Sequence, residues 1–252
     1  MCNRSCIAFG ERSLTAALVR GRDVLEVGAQ DVNGSLRSWV ESMAPARYVG
    51  VDLTAGPGVD EVVNAGDLIE RFGRESFDVV ITTEMVEHTR DWRTVVTNLK
   101  GVLRPGGHLL LTTRSRGFAY HAWPHDYWRY EPGDLSAIFG DLEMLSLEPD
   151  PEAAGVFVLA RRPGSFVERT PDIALFSIVT GRRDLAITDQ QVERFLFRYR
   201  LLRPVREARA QLDRARSRGR RLSRGLRRSR NAVWQSLPLA LRSTVKRTLG
   251  RT

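Results

Sequence analysis

Cysteine is scarce in this chain: Cys2 and Cys6 are the only two among 252 residues, four apart near the amino end. A bridge between them would close a tiny loop, and no third ligand stands nearby, so neither a disulfide scaffold nor a cysteine metal cluster is indicated. Long apolar runs are missing as well. No window reaches about 18 uninterrupted apolar residues, and the amino end carries neither an apolar stretch nor a small-residue cleavage site. A membrane span and a signal peptide are both unsupported, and a cytoplasmic location is the expectation. Apolar residues at 42% and charged residues at 27% fit a soluble globular chain rather than a disordered or fibrous one.

Charge is unevenly spread. From Arg203 to Thr252 sixteen Lys/Arg face two acids, Glu207 and Asp213, a balance of +14 that leaves −5 for residues 1–202 of a chain whose total is +9. Two segments of opposite sign suggest two jobs.

Short β-branched runs alternate with helical patterns through the first part of the chain. Asp23–Gly28, Arg47–Asp52, Phe77–Thr82 and Gly107–Thr113 read as buried strands, each short, apolar and bounded by glycine or charge. Between them SLRSWVESM and RDWRTVVTNLKGVL place apolar residues at helical spacing. Strand, helix, strand argues for a doubly wound α/β fold with a parallel sheet. Met144–Glu148 and Gly155–Ala160 leave no room for a helix between them, which predicts a terminal antiparallel pair. The expected division is a domain over 1–163, a connecting segment over 164–187 and a basic, mainly helical extension over 188–252.

The chemistry gathers at the strand ends. Glu26 stands two before Gly28 where the first strand finishes, and a glycine there lets a ligand approach the backbone. Asp52 ends the second strand twenty-four residues beyond Gly28, placed to accept two hydrogen bonds from a ribose diol. Asp67, in NAGDL, suits an exocyclic amine, with capping of the helix at LIERF as its bland alternative. Glu26-Val27-Gly28, Asp52, Asp67, FDVVITTEMVEH and LKGVLRPGGHLLLTT, in this order, resemble the class I S-adenosylmethionine-dependent methyltransferases of a subgroup with Glu-x-x-Glu-His after the fourth strand.

The resemblance covers about residues 12–162 and implies a Rossmann-like, mostly parallel seven-stranded sheet and S-adenosyl-L-methionine as cofactor. It implies that Glu26 and Gly28, with Ala29 and Gln30 in the same turn, shape the methionine pocket. Asp52 and Leu53 would hold the ribose and flank the adenine, Asp67 and Leu68 would receive the adenine amine and face, and Thr83 with Glu84 would line the floor near the sulfonium. Gly28-Ala29-Gln30 departs from the family's usual glycine-x-glycine, and the same feature disfavours a dinucleotide enzyme.

Methyl transfer from a sulfonium is an in-line displacement, so the protein must hold acceptor and methyl together and, for a hydroxyl, remove a proton. Candidate bases are His88, His121 and Glu84, with His125 and Asp126 also within the region; His88 could instead cap a short helix. GFAYHAWPHDYWRY, Gly117–Tyr130, gathers six of the twenty aromatics and two of the four histidines after the fifth strand. Flat aromatic faces suit a sugar ring, so Trp123, His125 and Tyr127 are the candidate acceptor contacts, with the segment from Asp126 packing on the sheet. PHDYWRY also resembles a segment of methyltransferases associated with glycan and cell-envelope biosynthesis. His121, His125 and Asp126 give only a partial ligand set by spacing, and no metal is expected.

These features predict O-methylation of a hydroxyl on a saccharide, a glycolipid precursor or a related small metabolite. The arginine-rich residues 203–252, with Trp234 among apolar residues and cations, fit peripheral contact with an anionic membrane at the inner face. A helix folded on the acidic domain or a partner, nucleic-acid binding with an RNA methyltransferase, and a non-catalytic cofactor-binding protein are the alternatives; oligomeric state is open, a dimer included.

Overall fold

The computed structural model describes residues 3–121, 125–202 and 204–205. Met1–Val192 and Glu193–Thr252 form two compact units. Beyond Leu202 only Pro204 and Val205 are described, so the expected basic helices past that point and the membrane-facing segment lie outside the described residues.

The strands are β1 (Asp23–Val27), β2 (Arg47–Asp52), β3 (Glu61–Val62), β4 (Phe77–Thr83), β5 (Leu103–Arg114), β6 (Trp128–Arg129), β7 (Glu143–Pro149), β8 (Gly155–Arg161), β9 (Leu175–Ser177) and β10 (Arg183–Asp184). The helices are α1 (Arg4–Ser13), α2 (Ala16–Val19), α3 (Arg37–Ser42), α4 (Leu68–Phe72), α5 (Trp92–Val102), α6 (Pro132–Ile138) and α7 (Asp189–Leu201), with a 3-10 turn at Val86–His88.

Seven strands form one sheet in the order β3-β2-β1-β4-β5-β8-β7. The first five run parallel, with Leu25 opposite Val49 and Val80, and β5, β8 and β7 are joined antiparallel, with Leu110 opposite Leu159. Successive side chains of a strand face opposite sides, and both sides are covered. Leu25, Val27 and Val80 pack with Trp92, Val96 and Leu99 of α5. Val24, Val79 and Ile81 pack with Cys6 and Phe9 of α1 and Val40 of α3. The strand expected over Gly107–Thr113 begins earlier, at Leu103, with a register shift opposite Phe77 and Val79.

Residues 164–187, expected as a connecting segment, are folded into the first unit. β9 pairs with β6 and β10 in a second, three-stranded sheet, and Leu175 and Ile187 are buried in the core. Arg93 of α5 donates to Asp172 at 2.8 Å, to Ile173 O at 3.0 Å and to Leu185 O at 2.9 Å. The fully buried Lys100 donates to Arg169 O at 3.1 Å and pairs with Asp141 at 2.8 Å. These are long-range bonds, most of them to backbone oxygens, which a poorly periodic sequence does not advertise.

In the second unit Phe195 and Tyr199 stack one turn apart along α7, with ring centroids at 5.7 Å.

Candidate active site

The carboxyl ends of β1, β2 and β4 open on a cavity of about 510 Å³. Gly28, Gln30, Asp52, Leu53, Asp67, Thr83, Glu84, His88, His125 and Tyr127 all stand on its wall. Gly28 has φ +80°, and a Cβ there would lie 2.8 Å from the Met85 side chain, so the turn needs glycine for both conformation and space.

Asp52 is aimed before any ligand arrives. One carboxylate oxygen accepts from Gln30 N at 3.1 Å and the other from Leu53 N at 2.7 Å, which leaves a lone pair on each for a diol. The Gln30 amide turns toward Gly56 and Thr54, whose hydroxyl lies 3.4 Å from its Oε1. Asp67 occupies the N-cap position of α4 but makes no side-chain capping bond. Asn98 of α5 takes that work, accepting from Ile69 N at 2.8 Å, so the Asp67 carboxylate is left for the cavity. Leu53 and Val32, 55% and 47% exposed, give this end an apolar rim. Together these features fit an adenosyl cofactor: a diol acceptor pair, a free carboxylate and apolar faces around a glycine turn.

Glu26, Ala29 and Leu68 are buried beside the cavity rather than on its wall. Tyr48 donates its hydroxyl to the Glu26 carboxylate. Burial raises the Glu26 pKa to about 7, more than the Tyr48 hydrogen bond and the Arg37 charge lower it.

Glu84 differs most from the expectation of a free base. Its backbone has φ +54°, a strained conformation for a residue with a side chain, and its carboxylate is paired with Arg114 and accepts from Cys6 Sγ at 3.4 Å. Arg114 also reaches Asp150 at 3.2 Å, and Asp150 accepts from Ser5 Oγ at 2.6 Å and Asn3 Nδ2 at 3.0 Å. Burial, then the neighbouring Glu87 charge, push Glu84 up to about 8 against the pull of Arg114.

His88 ends the 3-10 turn, and its Nδ1 lies 2.5 Å from His125 O. A carbonyl only accepts, so Nδ1 carries the proton and a neutral ring keeps its Nε2 lone pair free. His121 Nδ1 lies 2.8 Å from Asp126, while its Nε2 is 3.7 Å from Glu87 Oε1, past hydrogen-bond reach. Burial opposes protonation of His121, but Asp126 and Glu87 outweigh it and raise the pKa to about 9. The rings of His88 and His121 meet edge-on with centroids 4.8 Å apart. His121 itself stands behind His88 rather than on the cavity wall.

The aromatic segment is anchored from Asp126 onward. Asp126 and Arg129 form a fully buried pair, 2.5 Å and 2.6 Å across its two contacts. Trp128 and Tyr130 are in the core, donating to Arg90 O at 3.1 Å and Val86 O at 3.2 Å. Tyr127 is nearly buried and still faces the cavity, as does His125. Trp123 lies outside the described residues. The set His121, His125 and Asp126 does not converge, because Asp126 is taken by Arg129; Glu87, His88 and His121 do, with one polar atom from each within 4.8 Å of the others. Met85, Arg90, Thr94 and Val95 also line the cavity, although the sequence reading gave none of them a role in the site.

Residues 3–140 match the family model described as a methyltransferase domain. The chain is 30% identical over 205 residues to a phthiotriol/phenolphthiotriol dimycocerosates methyltransferase of Mycobacterium tuberculosis, covering 77% of this chain and 72% of that one. It is 30% identical over 128 residues to a ubiquinone biosynthesis O-methyltransferase of Rhizobium etli, 45% of this chain and 50% of that one. In structure it resembles 1,6-didemethyltoxoflavin-N1-methyltransferase of Burkholderia thailandensis, solved with S-adenosylhomocysteine, with a TM-score of 0.52 at 18% identity over 64% of this chain and 80% of that one. The chain belongs to the methyltransferase domain family, in the Rossmann-like class whose cofactor is S-adenosylmethionine.

Proposed function

We propose that the protein is an O-methyltransferase for a hydroxyl on a glycolipid precursor, a saccharide or a related small metabolite. The observation that carries this reading is the change of character along one cavity. Gly28, Asp52 and Asp67 make an end suited to the adenosyl group, and His88, His125 and Tyr127 make an end suited to a neutral, ring-bearing acceptor. When bound, S-adenosylmethionine supplies the electrophilic methyl group. The chain's own residues hold the acceptor against it and receive a hydroxyl proton, for which the free Nε2 of His88 is suited.

Relatives named for a triol-bearing lipid and for ubiquinone O-methylation support a hydroxyl acceptor with lipid character. The +14 balance of residues 203–252 supports peripheral contact with anionic lipid, where such an acceptor would be met. Among the described residues no helix is long and apolar enough to cross a membrane.

The test incubates the purified chain and S-adenosylmethionine with lipid and glycan extracts and searches by mass spectrometry for products heavier by one CH₂. Formation of S-adenosylhomocysteine with a methylated hydroxyl product is expected. A methylated amine or thiol alone would overturn the reading.

A further inference from the structure

Glu87, His88 and His121 bring three ligand atoms to face one another, two of them buried without a hydrogen-bond partner. Glu87 is fully buried, and its Oε1 has no hydrogen-bond partner among the described residues; the same is true of His121 Nε2. The two atoms are 3.7 Å apart, and all three ligand atoms fit within 4.8 Å. A buried carboxylate oxygen without a donor is costly, and native folds rarely leave one unless something else fills the gap.

Each of these side chains is also fixed from behind. Glu87 Oε2 accepts from Thr113 Oγ1 at 2.9 Å, His88 Nδ1 is held by His125 O at 2.5 Å, and His121 Nδ1 by Asp126 at 2.8 Å. Asp126 is held in turn by Arg129. A ligating imidazole almost always gives its other ring nitrogen to a carboxylate or a carbonyl, which sets the tautomer and aims the free nitrogen at the metal. Both imidazoles here have that arrangement, one with each kind of partner.

We propose that Glu87, His88 and His121 bind one divalent transition-metal cation. Once the cation has displaced the second proton that Asp126 and Glu87 favour on the His121 ring, two imidazoles and one carboxylate are a donor set for Zn²⁺, Mn²⁺, Fe²⁺ or Co²⁺ rather than for Ca²⁺ or Mg²⁺, which favour oxygen. Ligands about 2.0–2.2 Å from a tetrahedral Zn²⁺ stand roughly 3.4 Å from one another, so the observed 3.7 Å between Glu87 and His121 needs only a small contraction. Three protein ligands leave coordination open, and His88 brings the site to the wall of the cavity that Asp52 and Asp67 also line.

The role of the cation rests on the O-methylation reading above. A divalent ion at this place would orient an acceptor hydroxyl and lower its pKa. The oxygen then forms its bond to the methyl carbon as the carbon–sulfur bond breaks. The electron pair of that bond stays on sulfur as S-adenosylhomocysteine, and because the cation then holds the His88 Nε2 lone pair, the hydroxyl proton leaves to solvent instead of to His88.

The experiment uses the full chain after chelator treatment and dialysis. Co²⁺ is titrated while its visible absorption is followed, and Zn²⁺ by calorimetry, in wild type, E87Q, H121A and H121Q; S-adenosylhomocysteine binding to each variant reports an intact fold. One cation per chain is expected for wild type, with affinity falling at least tenfold in E87Q and in both His121 variants that still bind S-adenosylhomocysteine. Should H121A fail to fold, H121Q carries the test, because its amide keeps size and polarity while losing the imidazole. Absence of stoichiometric binding in wild type, or unchanged affinity in the folded variants, overturns the site. Stoichiometric binding lost in the variants, without methylation of any hydroxyl, supports the site and counts against the O-methylation reading alone.

Discussion

Asn98 Oδ1 accepts the amide hydrogen of Ile69 at 2.8 Å, and its Nδ2 donates to Gly66 O at 2.6 Å and Thr94 O at 3.0 Å. A side chain of α5 therefore caps α4 and pins the loop before it, while the residue in the N-cap position, Asp67, keeps its carboxylate for the cavity. The two roles should separate cleanly. N98A is expected to lower unfolding free energy by about 1–3 kcal/mol, since it removes the partners of partly buried backbone groups at Ile69 and Gly66. D67A should change stability by less than about 0.5 kcal/mol and weaken S-adenosylhomocysteine about tenfold or more, as read by urea denaturation and calorimetry. Equal destabilisation by both would refute the division of labour.

Asp52 offers a stronger case on the same ligand. Its two oxygens are already aligned by Gln30 N and Leu53 N, so binding spends little on ordering the side chain. D52A should cost about 1.5–3 kcal/mol of S-adenosylhomocysteine binding, the usual worth of hydrogen bonds to a charged acceptor. D52N, which keeps the shape and loses the charge, should fall between the two in calorimetry.

Glu26 makes stability depend on pH. Its ordinary value of 4.5 is raised to about 7 in the fold by burial, in spite of the Tyr48 hydrogen bond. Between those values the folded chain holds the proton more tightly than the unfolded chain. The stability this group contributes is therefore full below about 4.5 and is lost as pH rises through 7. Wild type should lose unfolding free energy between pH 5 and pH 8 relative to E26Q, whose amide can still accept from Tyr48. Parallel pH profiles for the two proteins, measured by chemical denaturation, would remove Glu26 as the cause.

Gly28 constrains its turn on the cavity wall in two ways that a double mutant distinguishes. G28A should destabilise by about 1–2 kcal/mol for the left-handed backbone, with an added clash against Met85 at 2.8 Å. Adding M85A should relieve the clash and not the backbone cost. Partial recovery of the urea midpoint in G28A/M85A is the expected result.

The basic residues 203–252 are expected to sediment with vesicles containing anionic lipid and to remain in solution with neutral ones. Added salt should release them, because screening shortens the reach of the surface potential. Preferential capture by RNA in competition with anionic vesicles would favour the nucleic-acid alternative.

The sheet was legible because its strands are short runs of Val, Ile and Leu whose neighbours interrupt them with glycine or charge, as in RYVGVD and FDVVITT. The strand-end position of Asp52 followed from the same pattern. What the sequence hid depends on distant partners. Nothing near Glu84 announces Arg114, thirty residues on, or Cys6, seventy-eight residues back. Residues 164–187 looked like a connector because β9 and β10 are three and two residues long, too short for periodicity, and are held by Arg93 and Lys100 of another element. Glu87 and His121 face each other only because β4 and the segment after β5 are neighbours at the sheet's carboxyl end.

The ring that joins Asn3, Ser5 and Cys6 to Glu84, Arg114 and Asp150 has a consequence for biosynthesis. α1 is made before the sheet it packs on, yet the residue that ties its leading turn down is made about 145 positions later. Until Asp150 emerges, the buried charges around Glu84 have an incomplete set of counterparts, so the nascent chain must wait for its β7–β8 hairpin before the cavity floor can set.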